Sequence, residues 1–358
     1  MRFAVCLLIL PLLLQLNTQA QTQDVAQQLR EVVEAMPLER VHPKYPPEQA
    51  RSGREGWVEM SYVIEADGTV SNAIVEDSSG NKGLERSAIK AIEQWTYRPA
   101  TENGQPVQQC ESRVRFSFRV DKGSDGVTRK FRSQIKQGLN LLEEGKLDEV
   151  NAILVDMESR EQWNLLEDAW YNLLKASYHE KNNEPLMQHQ ALHRALSAPE
   201  STLPKKVQLG FLQKKLQMEI QLNRYADAKS SYERLQALDK DGEVVALFTP
   251  YMEKIEARIT GSEIFGLKGH IRDDKPWRHK LSRPAFSVTQ VNGQLDKLDV
   301  RCKLRRITFS IEPDTVWQVP AKWGQCHVYV YGEADASFTL LELPEELPSD
   351  WDVDVPAD

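Results

Sequence analysis

The chain has 358 residues, and its 53 acidic against 45 basic side chains give a formal net charge of −8. That balance argues against nucleic acid as a partner, because a polyanion-binding chain carries the opposite excess. At this length more than one domain is expected, and the composition changes character twice along the chain.

Met1-Arg2 followed by the apolar run Phe3 to Leu16 reads as a secretory leader, with Thr18-Gln19-Ala20 offering small residues for cleavage. The run is about 14 residues long, short of the ~20 that cross a bilayer as a helix, and Pro11 interrupts it. Residues 1–20 are therefore expected to be a signal peptide; an uncleaved membrane anchor is the alternative. Cys6 stands too early for a lipoprotein cysteine. Residues 21–40 are expected to form an N-terminal helical segment.

Tyr45-Pro46-Pro47 opens the next unit. From Trp57 to Ala66 the residues alternate, with Val58, Met60, Tyr62 and Ile64 on one side and Trp57, Glu59, Ser61 and Glu65 mostly on the other. Such a period of two marks a strand with one buried face. Asp67-Gly68 supplies a turn, and a second strand runs from Val70 to Glu76. Leu84, Ala88, Ala91, Ile92 and Trp95 recur at helical spacing. Pro99 stops that element, and the segment from Glu102 to Pro106 is a loop. A last strand, Arg113 to Val120, places Val114, Phe116 and Phe118 on one face and Arg113, Arg115, Ser117 and Arg119 on the other. The result is a β-β-α-β unit of roughly 80 residues, a size that can fold independently.

The Tyr-Pro opening, Gly56-x-Val58, Asp67-Gly68-x-Val70, Ala88-x-x-Ala91-x-x-x-Trp95 and Tyr97-Arg98-Pro99 occur in an order that resembles the C-terminal domain of the TonB family. The resemblance covers residues 41–120. It implies a periplasmic module without an active site, which grips outer-membrane receptors by accepting their TonB box as an added strand. The site it points to is the last strand, Arg113, Arg115, Ser117 and Arg119, whose outward arginines would suit an acidic peptide. The opening segment, Tyr45, Pro46, Gln49, Ala50 and Arg51, also meets the box in the family; the family's glutamine falls at Ala50 in strict register, with Gln49 one residue away. Family transducers carry an N-terminal anchor and a proline-rich spacer, and neither is evident in this sequence.

After a polar linker at 121–129, helical periodicity takes over through 130–260. Turns at Gly145, Asn183 and Asn223 separate helix pairs by 38 and 40 residues, the pattern of lengthened tetratricopeptide-like repeats that stack into a protein-binding surface. From 265 to 343, Phe286-x-Val288, Leu298-x-Val300, Ile307-x-Phe309-x-Ile311 and Val328-x-Val330 alternate like strands of a small β domain. Residues 344–358 form an acidic tail expected to fray. The fold class is multidomain α+β.

Cys302 and Cys326 can close a disulfide in an oxidising compartment, worth roughly 3 kcal/mol in the loop-closure account. Cys110 is then either a partly buried free thiol or a mixed disulfide with a partner. His189 and His193 lie four apart on a helix but lack a third ligand, and are expected to be a surface or groove pair rather than a metal site. Arg272, Lys275, Arg278, His279, Lys280 and Arg283, with Trp277 among them, are expected to be a solvated loop. No phosphate-cradling loop, dinucleotide fingerprint or nucleophile elbow occurs, so no enzyme, cofactor, metal or small-molecule substrate is expected. The partners are expected to be proteins, an outer-membrane receptor or another envelope component. The favoured role is a periplasmic adaptor of TonB-dependent transport; an anchored energy transducer and an envelope scaffold unrelated to uptake are its rivals.

Overall fold

The computed structural model describes residues 32–120, 126–160, 163–197, 203–272, 275–347 and 353–354. The leader at 1–20 and residues 21–31 of the expected helical segment lie outside them. The described remainder of that segment is extended: β1 (Val32–Val33) and β2 (Met36–Glu39) are strands. The β-branched pair Val32-Val33 suits a strand, and Pro37 cannot donate within a helix.

In the unit that follows, α1 (Pro47–Ser52) leads into β3 (Gly56–Ile64), which is flanked on both sides by antiparallel partners, β4 (Val70–Ser78) and β8 (Gln109–Phe118). The β3–β4 turn uses Gly68 at φ 87°, where a Cβ would stand 2.0 Å from the Tyr97 carbonyl oxygen; only glycine fits. Asn81 then caps α2 (Lys82–Ile92), its Oδ1 accepting from the amides of Gly83 (2.9 Å) and Leu84 (3.1 Å). The helix lays Leu84, Ala88 and Ile92 on Val58, Met60, Tyr62, Ile64, Phe116 and Phe118. It ends before Trp95. Between α2 and β8, β5 (Thr96–Arg98) pairs with β2, while β6 (Ala100–Glu102) pairs with β1 and with β7 (Gln105–Val107). The expected loop at 102–106 is thus a hairpin turn, and β8 begins four residues earlier than its alternation suggests.

The middle consists of three helix pairs and a closing helix: α3 (Arg129–Glu143) with α4 (Leu147–Glu158), α5 (Leu165–Lys181) with α6 (Pro185–Leu196), α7 (Lys205–Gln221) with α8 (Tyr225–Leu238), then α9 (Glu243–Thr260). Gly145, Asn183 and Asn223 make the tight turns at φ 74°, 55° and 57°, as glycine and asparagine do at low steric cost.

Two sheets follow. One has the order β10 (Trp277–Lys280), β15 (Cys326–Gly332), β12 (Leu295–Cys302), β13 (Arg306–Phe309). The other runs β17 (Val353–Asp354), β14 (Val316–Gln318), β11 (Ala285–Asn292), β16 (Ser337–Leu343), β9 (Phe265–His270). Their inner residues share a core with Leu212, Leu216, Tyr225, Leu235, Phe248 and Ile255 of the helices. The boundary near residue 260 therefore separates secondary-structure types but not cores. Part of the tail expected to fray is held: Gln318 Nε2 donates to the Glu345 carbonyl (3.2 Å), and β17 adds to β14 in parallel.

The largest departure concerns the second face of β3, expected to meet solvent. Trp57, Ser61 and Val63 there are at most 1% exposed, because the helices and the C-terminal sheets close over that face. Trp57 Nε1 donates to Asp168 (2.9 Å), Arg194 pairs with Asp77 (2.9 Å), and Arg301 donates to the Asn72 carbonyl (3.0 Å). The basic cluster is not a solvated loop. Trp277 to Lys280 form a strand, Arg278 pairs with Glu76 (3.2 Å) and Lys275 with Glu85 (3.0 Å). His279 is buried against Glu342 (2.6 Å), and Arg283 is buried among the carbonyls of Arg258, Ile259, Gly261 and Glu263.

His327 of β15 lies at this junction, its Nε2 accepting from Arg113 Nη2 (2.7 Å). Burial, reinforced by Arg278 and Arg113, pushes its pKa far below the ordinary 6.5; burial is also the main cause of the lowered pKa values of His179, His189 and His193. Below about pH 6.5 the unfolded chain binds protons that the folded one refuses, so stability is complete above that value and falls as the pH drops through it. The midpoint of thermal unfolding is expected to fall between pH 7.5 and 5.5. In urea titrations, His327→Gln should flatten the dependence below pH 6 by about 1.4 kcal/mol per pH unit. Equal slopes in the two proteins would contradict this origin.

Candidate functional site

β8 is an edge strand whose free side can be read from the register. The Ser79 amide donates to the Trp57 carbonyl (3.0 Å), and the Trp57 amide donates to Ser79 Oγ (3.1 Å). The backbone of Trp57 thus faces β4. Alternation along an antiparallel strand then turns Val58, Met60 and Tyr62 toward β8, opposite Phe116, Val114 and Ser112. The intervening residues Arg113, Arg115 and Ser117 direct their N–H and C=O groups away from the sheet. Among the described residues, no hydrogen bond to these outward groups is found.

Both ends of the open edge are fixed. At one, the Cys110 amide donates to the Lys303 carbonyl (2.9 Å), next to the bonded pair Cys302–Cys326, whose Cα atoms are 4.0 Å apart across β12 and β15. At the other, the Val120 amide donates to Glu55 (3.0 Å). Cys110 lies within β8 and not in a loop before it. It is fully buried, and burial raises its thiol pKa to about 12, so it is closed to a mixed disulfide.

The arginine side chains do not point freely outward as expected. Arg113 stands 3.6 Å from Glu76 and 3.3 Å from Glu111. Arg115 stands over the Trp57 ring, its Cζ 4.2 Å from the ring centroid, and burial lowers its pKa. Their partners sit on the covered face of the sheet, which turns both side chains toward it, although Arg113 stays exposed. Ser117 and Arg119 are exposed. Tyr45 packs edge-on against Phe118 at 5.7 Å and donates to the Arg54 carbonyl (2.9 Å), so the opening segment meets the Phe118 end of the edge. Pro46 begins α1. Gln49 packs against Gly83 at the start of α2, and Ala50 and Arg51 are exposed.

His189 and His193 line an interior groove, 3.4 Å from Glu219 and 4.0 Å from Glu59. Among the described residues there is no group of three or more side chains placed to hold a metal ion, and no helix is long and apolar enough to cross a membrane. Sequence reasoning missed the polar junction itself. Its one visible signal is the density of charge around Arg272 to Arg283.

The family profile described as "Gram-negative bacterial TonB protein C-terminal" matches residues 41–120. Protein TonB of Xanthomonas campestris pv. campestris (strain B100) is 43% identical over 73 residues, covering 20% of this chain and 31% of that protein. Protein tonB2 of Pseudomonas aeruginosa is 38% identical over 58 residues, covering 16% and 22%. The chain thus spans under a third of the length of these curated relatives. The solution structure of the Pseudomonas aeruginosa TonB C-terminal domain aligns with 25% of this chain and 91% of its own, at 22% identity and a TM-score of 0.22. On the family profile and these identities, residues 41–120 are a domain of the TonB C-terminal family.

Proposed function

We propose that this protein is an exported adaptor of TonB-dependent transport, which captures a partner peptide as an added strand on β8. The observation that carries the reading is the open row of backbone groups at Arg113, Arg115 and Ser117, within a domain whose relatives are named TonB. Between those two outer residues the edge offers about 13 Å of strand. Backbone bonds would supply affinity, and the alternation of the peptide's side chains its register. Because Arg113 and Arg115 are engaged within the chain, selection for acidic peptides would rest on Arg119. Tyr45, Pro46, Gln49, Ala50 and Arg51 flank one end of the edge.

The three helix pairs, with turns 38 and 40 residues apart, fit lengthened tetratricopeptide-like repeats and would offer a second protein-binding surface. The partner is a protein, a receptor or another envelope component, and the role is binding, not catalysis.

Strand addition is tested by fluorescence anisotropy with a labelled TonB-box peptide. Ser117→Pro removes one outward amide without touching the β3 pairing and should weaken binding about tenfold, the value of one hydrogen bond near 1.4 kcal/mol. Ser117→Ala keeps the amide and should bind as the parent does. A peptide N-methylated at alternate residues probes the same contacts without altering the protein. Unchanged affinity for both Ser117→Pro and the methylated peptide would refute the site.

Intact mass and fractionation decide the compartment. Loss of about 20 N-terminal residues, with release in the periplasmic fraction, is expected of the adaptor. A full-length chain retained in the inner membrane would make energy transduction the better account.

A further inference from the structure

The TonB-like sheet, the helices and the C-terminal sheets meet around a polar cavity of about 620 Å³. Its floor is the covered face of β3, β4 and β8. Helices α5 to α8 form one wall, and the segment from Lys268 to Lys280 forms another. Among the described residues, the lining holds eleven lysines and arginines against five carboxylates, in a chain whose overall charge is −8. The space is open to water: Arg194, Arg278 and Lys275 keep between 24% and 30% of their side-chain surface although they lie between packed elements.

The five carboxylates are already engaged. Asp77 holds Arg194, Glu219 holds Lys215, Asp227 holds Arg224 at 2.9 Å, Glu76 lies between Arg113 and Arg278, and Glu59 faces His193. Positive charge remains after these pairings. Among the described residues, Lys280 donates to Ser230 Oγ (2.9 Å) and forms no ion pair, and Lys175 meets Tyr171 Oη (3.4 Å) with Glu158 at 4.0 Å. The sign of the local field is also visible in the acids. Burial alone would raise Glu76 and Asp227, yet the neighbouring cations hold both below the usual carboxylate range.

We propose that this cavity binds a compact small molecule carrying at least two phosphate or carboxylate groups. The volume lies within the range of small-ligand sites and is too small for a polymer. Like charges from three separate parts of the chain face one water-filled space, and a multivalent anion there would replace their mutual repulsion with charge-assisted hydrogen bonds. Since the ligand would touch all three parts, binding should also stabilise the whole fold.

Calorimetric titration of the purified full chain with inorganic pyrophosphate and, separately, with citrate tests the site, at ionic strength held constant with chloride. A saturable one-to-one isotherm with either anion and a higher unfolding temperature are expected. Lys175→Gln combined with Lys280→Gln should weaken binding at least tenfold, while Lys280→Arg, which keeps the charge and guards against a folding defect, should bind as the parent does. Binding of pyrophosphate alone would assign a phosphorylated ligand; binding of citrate alone would assign a polycarboxylate. No saturable binding of either anion, or equal affinity in the double variant, would overturn the proposal.

Discussion

Glu76 keeps its charge while almost wholly buried, and the docking of a C-terminal sheet on the TonB-like sheet follows from that requirement. Its side chain is 5% exposed, 3.2 Å from Arg278 and 3.6 Å from Arg113, and it accepts from Tyr329 Oη at 2.5 Å. A carboxylate removed from water without such partners costs several kcal/mol, and removing one member of a buried pair typically costs 3–5, on the order of a domain's whole margin of stability. Arg113 and Ser61 belong to the same sheet as Glu76, whereas Arg278 and Tyr329 come from one of the C-terminal sheets. The TonB-like sheet therefore does not present a solvated second face, and Trp57, Ser61 and Val63 are covered by the same docking.

Both faces are covered, by α2 on one side and by the helices and C-terminal sheets on the other, while the backbone edge of β8 stays open. Its flanks are tied by Lys303, beside the Cys302–Cys326 bond, and by Glu55. A rigid, pre-formed edge loses little entropy when a strand adds to it. The docking that covers the sheet's faces thus leaves the β8 edge ordered and open, and it also frames the cationic cavity beneath the sheet.

Local signals in the sequence were strong where local physics decides the structure. The Val58–Ile64 alternation, the Gly68 turn, the helical spacing of Leu84, Ala88, Ala91 and Ile92 and the turns at Gly145, Asn183 and Asn223 all lie within a few residues of the elements they define. The buried second face was not legible, because Trp57, Glu59 and Ser61 alternate like a wet face, and their covering partners Asp168, His193 and Tyr329 lie more than a hundred residues away. For the same reason Arg278 and Lys275 read as a solvated run, when each completes an ion pair with a distant carboxylate. At the edge, the strand was legible from Val114, Phe116 and Phe118. The inward turn of Arg113 and Arg115 was not, since a sequence fixes which face a side chain leaves from but not what waits there.

Hydrogen–deuterium exchange along β8, read residue by residue with and without a TonB-box peptide, tests the open edge most directly. The amides of Arg113, Arg115 and Ser117 are expected to exchange rapidly in the free protein and to become protected when peptide is added, while those of Val114 and Phe116 are protected throughout. Protection of all five amides in the free protein, or rapid exchange at Arg113, Arg115 and Ser117 with peptide at saturation, would contradict this expectation.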